Sequence, residues 1–239
     1  MTTTERPPVA APRPSTHRVR RRTALWAGAG AAVLSLVAVW VVAFSPVLGV
    51  RSVTVRGTHL LSAEQVRAAA DLRSGSPLIR LDTAAATRRV QRLPEVASAS
   101  VRVSYPNSVV ISVVERVAVG FLADAGRFVL VDRSGDQFRT VSAKPRGLPL
   151  FDVPSGAGGA STGRAVADVA AALPVSVRSG LASIQALDPT SITLALTDSR
   201  IIRWGSDDRN ADKARILPAL LSQPGSQFDL TDPDQVVVR

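Results

Sequence analysis

Val50-Arg51-Ser52-Val53-Thr54-Val55-Arg56-Gly57 alternates apolar and polar side chains and stops at a glycine, the period-two pattern of a half-buried strand. Downstream, Ser62 opens a helix through Ala70, with Gln65 three residues on completing a capping box and Val66 and Ala69-Ala70 forming the apolar stripe. Gly75 and Pro77 break the chain, and Leu78 and Ile79 are expected to dock into the core. Asp82 then caps a second helix to about Leu93, which Pro94 ends. Two alternating stretches, Val96 to Tyr105 and Val109 to Glu115, are joined by the turn Pro106-Asn107-Ser108. The order is β-α-α-β-β, assigned to residues 50–120.

Upstream, no charged side chain occurs between Thr23 and Val50. Ala24 to Phe44 would span roughly 31 Å as a helix, against a hydrocarbon core of about 30 Å. Trp26 and Trp40 lie near its ends, where indole rings favour the interface, and Pro46 and Gly49 terminate it. Residues 23–49 therefore read as a transmembrane helix and its exit. Arg13, Arg18, Arg20, Arg21 and Arg22 precede it, whereas Arg51 and Arg56 are set against Glu64 after it, so the positive-inside rule keeps the N-terminus in the cytoplasm. A cleaved signal peptide is the competing reading, but Ala43-Phe44-Ser45 before Pro46 imitates its cleavage site poorly. Arg21-Arg22 also resembles a twin-arginine signal, although the surrounding arginine run fits a topogenic cluster of Arg18, Arg20, Arg21 and Arg22. Residues 1–22, with Pro7, Pro8, Pro12 and Pro14 and six arginines against Glu5, are expected to be a disordered basic tail.

Beyond Phe121 the chain turns to short alternating strands. Phe128 to Asp132 and Gln137 to Val141 form a hairpin pattern, and Leu148 to Phe151 is another extended piece. Ser155 to Gly163 is glycine-rich and is expected to be a mobile loop, followed by a helix from about Arg164 to Leu173 that Pro174 ends. Ser191 to Leu196 and Arg200 to Trp204 flank Asp198-Ser199, and Asn210 is placed to cap a helix through Leu221. The chain closes on Phe228-Asp229-Leu230 and Gln235-Val236-Val237-Val238-Arg239. The fold class is α+β: an N-terminal transmembrane helix, the β-α-α-β-β module, and a mixed β-rich domain with two helices over 121–239.

These residues resemble a known family. Val53-Thr54-Val55-Arg56-Gly57 through Leu61-Ser62, Gly75-Ser76-Pro77-Leu78, Leu93-Pro94-Glu95-Val96, Val101 to Pro106 and Val113-Val114-Glu115-Arg116 look like the polypeptide-transport-associated (POTRA) domain of the FtsQ/DivIB division proteins. Arg203-Trp204-Gly205, Lys213-Ala214 and the closing Asp-Leu and Val-Val-Val-Arg are similar to that family's β domain. The chain departs from the family at Val117-Ala118-Val119-Gly120, where a Pro-Val-Ala type ending is usual. The resemblance implies a single-pass protein of the bacterial cell membrane, with its C-terminal domains outside the cytoplasm at the division septum. It also implies division-protein partners of the FtsB/FtsL type, joined by strand addition near the last strands. Arginine supplies all but two of the 29 basic residues, the exceptions being Lys144 and Lys213, which points to a GC-rich genome such as an actinobacterium's.

Chemistry is hard to find in the sequence. Cysteine is absent, and the histidines, His17 and His59, have no triad or ligand partner nearby. Neither a nucleophile elbow nor a phosphate-binding glycine loop occurs. Asp208-x-Asn210-x-Asp212 begins like a calcium loop but has Lys213 and Ala219 where that loop needs Gly and Glu. The net charge of +10 comes with 4% aromatics and no stacking pattern, which argues against nucleic acid. No cofactor, metal or small-molecule substrate is expected, and the chain does not read as an enzyme.

The candidate residues are therefore ones that bind partners. Phe228, Asp229, Leu230, Thr231, Asp232, Asp234, Val236, Val237 and Val238 form the candidate partner-binding run. The valines either close a sheet or, as an edge strand, offer unpaired backbone. Glu115-Arg116 reads either as a surface ion pair or as a docking face. The leading reading is a divisome scaffold. The alternative is a chaperone-like or secretion-associated protein built on the same module, although such proteins commonly repeat it or attach it to an outer-membrane barrel.

Overall fold

The computed structural model describes residues 30–37, 49–156 and 158–238. Helix α1 is described over 30–37, with Val33, Leu34, Leu36 and Val37 exposed. Among the described residues no helix is long and apolar enough to cross a membrane. The rest of the expected span, residues 1–22 and Arg18, Arg20, Arg21 and Arg22 lie outside the described residues. By contacts the chain divides into one unit of residues up to Val53 with 73–82 and 103–109, and a second of 54–72, 83–102 and 110–239.

The first sheet has the order β1-β3-β2, from β1 (Ser52–Arg56), β2 (Val96–Ser104) and β3 (Ser108–Glu115). Helices α2 (Ala63–Ala70) and α3 (Thr83–Val90) complete the β-α-α-β-β order. The capping box forms as expected, because Gln65 N–H donates to Ser62 Oγ and Ser62 N–H donates to Gln65 Oε1. Val66, Ala70, Ala86 and Val90 are the buried positions of the two helices, and Arg89 bridges them by donating to the Ala70 carbonyl. Gly57 ends β1 at φ +82°, where any Cβ would meet the Val113 carbonyl oxygen at 2.1 Å. Leu78 is buried in a 3-10 turn, but Ile79 is 61% exposed instead of docking into a core. Consecutive residues of so tight a turn cannot both face inward.

The second sheet has nine strands in the order β12-β11-β10-β9-β8-β7-β4-β5-β6. They are β4 (Ala118–Asp124), β5 (Arg127–Asp132), β6 (Gln137–Val141), β7 (Leu150–Asp152), β8 (Leu181–Gln185), β9 (Ile192–Leu196), β10 (Ile201–Gly205), β11 (Gln227–Asp229) and β12 (Val237–Val238). Pairing is parallel at β4–β7, β7–β8 and β10–β11 and antiparallel elsewhere. Helices α4 (Gly159–Ala172), α5 (Val175–Arg178) and α6 (Asn210–Leu220) join it. Val166, Val169 and Ala170 of α4 and Leu217 of α6 form one core with Ile184, Leu194, Ile202, Trp204, Phe228 and Leu230 of the strand segments.

Three expectations are corrected here. The domain has three helices, not two, because Pro174 both ends α4 and offers its carbonyl to the N–H groups of Val177 and Arg178. The glycine-rich stretch is a loop only at its start. From Gly159 it is helical, with the Thr162 hydroxyl donating to the Gly158 carbonyl at 3.0 Å and Ala165, Val166, Val169 and Ala170 buried in the core. Glycine stands at 159 because a Cβ there would strike the Pro154 carbonyl oxygen at 2.1 Å. Strand β8 was not expected, and a bulge against β9 between Leu181 and Ser183 explains why. It brings Leu181 and Ile184, three apart, into one core and so hides the period-two signal.

Candidate functional site

The terminal run is organised around Trp204 at the end of β10. Its indole N–H donates to Asn210 Oδ1 at 2.8 Å, so Asn210 begins α6 but does not cap it with its side chain, contrary to the sequence expectation. Lys213, only 1% exposed, donates through Nζ to the carbonyls of Trp204 and Ser206, both at 2.9 Å, with the ammonium 5.8 Å from the indole centroid. Burial pushes its pKa down, while the charges of Asp208, Asp207 and Asp232 act against that. The loop between β10 and α6 is thus fixed from inside.

Arg209 occupies the N-cap position of α6 in the left-handed region at φ 56°. Its guanidinium takes Asp234 with two hydrogen bonds, reaches Asp212 at 3.3 Å and lies 3.8 Å from Asp232. Arg215 also pairs with Asp212, and Asp208 accepts from the Ser206 hydroxyl. The oxygens that began a calcium-like spacing are therefore engaged by protein donors. Among the described residues no group of three His, Cys, Asp or Glu could hold a metal ion.

The nine candidate residues of the C-terminus separate into three roles. Phe228 and Leu230 are fully buried and anchor β11 in the core. Asp229, Thr231, Asp232 and Asp234 build the turn. Asp229 Oδ1 accepts from Thr231 N–H at 3.0 Å and Asp232 Oδ1 accepts from Asp234 N–H at 3.0 Å, while Asp229 also faces Arg203 at 3.6 Å. Val236, Val237 and Val238 then reach the sheet margin, with Val238 opposite Phe228 and Val237 opposite Asp229.

The register decides which backbone groups are free. Ile201 N–H donates to the Ser226 carbonyl and Leu230 N–H to the Arg203 carbonyl, so Phe228 turns its own peptide groups toward β10. Alternation then turns those of Asp229 toward β12, where Val237 receives them. The amides and carbonyls of Val236 and Val238 point away from the sheet. Strand β11 has neighbours on both sides, so the outer side of β12 is the open backbone of this run among the described residues. Beside it Thr193, Arg203, Asp229 and Val237 stand opposite one another across four strands and, with Ile201 and Gln227, line a groove of about 180 Å³. The sheet's other edge, β6, carries Arg139 at its centre, a charge that discourages strand pairing.

Glu115 and Arg116 do not pair with each other. Glu115 at the end of β3 accepts backbone N–H groups from His59 at 2.9 Å, Leu60 at 2.8 Å and Leu61 at 2.8 Å. Desolvation would raise its pKa, but these three donors outweigh it and hold the carboxyl below the usual range. Arg116 donates instead to Asp132 and, at 2.8 Å, to Asp136. Asp132 is buried and also accepts the N–H groups of Ser134 and Asp136, which closes the β5–β6 turn. Sequence reading missed Arg209, the ion pairs of Asp212 and the buried role of Lys213. A lysine on the same helical face as Ala214 and Leu217 was the available signal.

Comparison with known proteins completes the picture. The FtsQ-type POTRA domain model matches residues 48–116, and the cell division protein FtsQ/DivIB C-terminal model matches residues 121–235. The cell division protein FtsQ of Mycobacteroides abscessus is 38% identical over 210 residues, covering 87% of this chain and 67% of that protein. FtsQ of Mycolicibacterium smegmatis is 39% identical over 196 residues, covering 82% and 59%. FtsQ of Streptomyces bingchenggensis is 35% identical over 224 residues, covering 90% and 84%. The chain thus spans about three fifths to two thirds of the length of these mycobacterial relatives.

Proposed function

The chain belongs to the FtsQ/DivIB family of bacterial cell-division proteins, and we propose that it is a non-enzymatic scaffold of the divisome. In this reading it crosses the cytoplasmic membrane once, N-terminus inside, and holds both modules outside at the septum. Its partners are small division proteins of the FtsB/FtsL type. The arginine asymmetry around residues 23–49 supports the orientation, and the exposed apolar side chains of α1 suit a lipid surrounding.

The observation that carries the binding role is the open outer side of β12. A partner strand laid there would gain backbone hydrogen bonds from Val236 and Val238, the mode in which main-chain pairing supplies affinity and side-chain pockets supply selectivity. The groove of Thr193, Ile201, Arg203 and Val237 lies where an added strand's side chains would reach. Crosslinking in dividing cells followed by co-purification tests the reading. Recovery of small coiled-coil division proteins is expected, and their absence, with normal division after deletion of the gene, would sink it. A reporter fused after Arg239 should be active only outside the cytoplasm, with the chain uncleaved near Pro46.

A further inference from the structure

Three segments meet where the chain leaves its expected membrane span. Gly49 bridges Pro77, Val50 exchanges hydrogen bonds with Ser76 and Gly75 at 2.9 and 2.8 Å, and Arg51 N–H donates to the Asn107 carbonyl at 2.8 Å. The hydroxyls of Ser52 and Ser108 lie 2.8 Å apart. Residues 49–53, 73–82 and 103–109 thus form one stitched unit at this exit. Its outward features are unusual for a solvated loop cluster. Ile79 is 61% exposed and Tyr105 67% exposed, each two residues from a stitching residue, Pro77 or Asn107, and Arg51 and Arg73 of the same unit are exposed. The described part of the unit carries Arg51, Arg73 and Arg80 against Asp82 alone.

We propose that this unit rests on an anionic lipid surface, with Ile79 and Tyr105 entering the headgroup layer and Arg51 and Arg73 facing lipid phosphates. The inference rests on the membrane-spanning reading above. Phe44 ends the apolar stretch, and the five residues from there to Gly49 reach at most about 18 Å, so the tether keeps Gly49 within about 18 Å of the hydrocarbon edge and lets the unit reach the headgroup layer. Tyrosine suits that depth, since its ring is apolar and its hydroxyl wet. Basic side chains gain from anionic headgroups only within about a Debye length, roughly 8 Å at physiological salt, a distance the tether allows the unit to reach. Ile79, which the core does not take, thereby has a reason to face outward.

The chain lacks cysteine, so a single nitroxide at Ser104→Cys, one residue before Tyr105, reports the unit's surroundings in the full-length protein. The protein is reconstituted in vesicles of phosphatidylglycerol with phosphatidylcholine, in phosphatidylcholine alone, and in detergent. The label should be severalfold less accessible to a water-soluble relaxing agent with phosphatidylglycerol than in the other two. High salt should restore access, and Arg51→Gln and Arg73→Gln should each lower the docked-to-free ratio about fivefold. Ile79→Asn should lower it as well. Alkaline carbonate extraction separates the two readings. A chain that stays in the bilayer with an equally accessible label in every lipid overturns the surface proposal and leaves the spanning reading intact. A chain that washes out overturns both. A label shielded equally in detergent marks a protein contact and also overturns the proposal.

Discussion

Arg209 grips Asp234 with Nη1 at 2.7 Å from Oδ2 and Nη2 at 3.1 Å from Oδ1, tying the start of α6 to the turn that delivers β12. Strand β12 has only two residues, so its position depends on what holds the turn before it. The Arg209 backbone is in turn held by the loop that Lys213 and Trp204 fix from below. A chain of contacts thus runs from the buried core to the open edge.

Loosening this clip should free the edge without unfolding the domain. Asp234→Asn keeps the size and loses the charge, so amide hydrogen exchange at Val237 should accelerate about two- to fivefold while the melting temperature stays nearly constant. Acid should lower the protection factor at Val237 in the same way, once the intrinsic slowing of exchange at low pH is divided out. The Arg209 guanidinium holds the Asp234 carboxyl below its ordinary range, so the pair persists above that lowered pKa and is lost as pH falls through it. A protection factor at Val237 that ignores both the substitution and acidification would show that the clip does not position the strand.

Proline substitution reads the register directly. Val236→Pro and Val238→Pro remove outward amides and should weaken an FtsB-like partner by about 1–3 kcal/mol with the fold intact. Val237→Pro removes the amide that faces Asp229 and should release β12 from the sheet. Proline at Thr231 or Asp234 is a poorer probe, because those amides already donate to Asp229 and Asp232. Unchanged affinity in folded Val236 and Val238 variants would place the interface elsewhere.

Glu115→Ala should cost about 1–2 kcal/mol, because three backbone donors lose a charged acceptor although solvent reaches them in part. The folded-state pKa lies below the unfolded one. The contribution is therefore complete above the usual glutamate range and lost as pH drops through the folded value. Urea titrations of wild type and variant should converge in acid. Parallel curves at all pH values would show that the carboxylate contributes nothing.

Arg116→Met leaves the Asp132 carboxylate buried without its cation, which should cost about 2–4 kcal/mol in chemical denaturation. Asp132→Asn with Arg116→Met should recover part of that loss, since the buried charge is gone. A single variant as stable as wild type would mean that the N–H groups of Ser134 and Asp136 suffice to hold the carboxylate.

Period-two alternation in 50–57 and 96–115, the Ser62 capping box and the glycine at 57 were sufficient to read the first module from sequence. Each is a local signal set by pleat geometry or helix-end hydrogen bonding. The hairpin of β5 and β6 and the strands β9 and β10 were legible for the same reason. The glycine-rich start of α4 was not, because its helix is held by packing of Ala165 and Val166 in the core, while glycine at 159 only keeps the close approach to Pro154 free of a clash.

The candidate partner-binding run was visible as a β-branched terminus, but which of its backbone groups lie open was not. Whether a strand lies at an edge, and which of its amides face out, depends on pairing between residues remote in sequence, here Arg203 with Leu230 and Asp229 with Val237. The same holds for Glu115, whose partners lie 54 to 56 residues away, and for Arg209, whose partner Asp234 is 25 residues on. Sequence alone determined the first module's elements, most strands of the second, the family and the charge asymmetry, since these reside in neighbouring residues. Only the tertiary structure decided which charges are committed within the fold and which backbone remains open, because a hydrogen bond between distant residues leaves no local pattern.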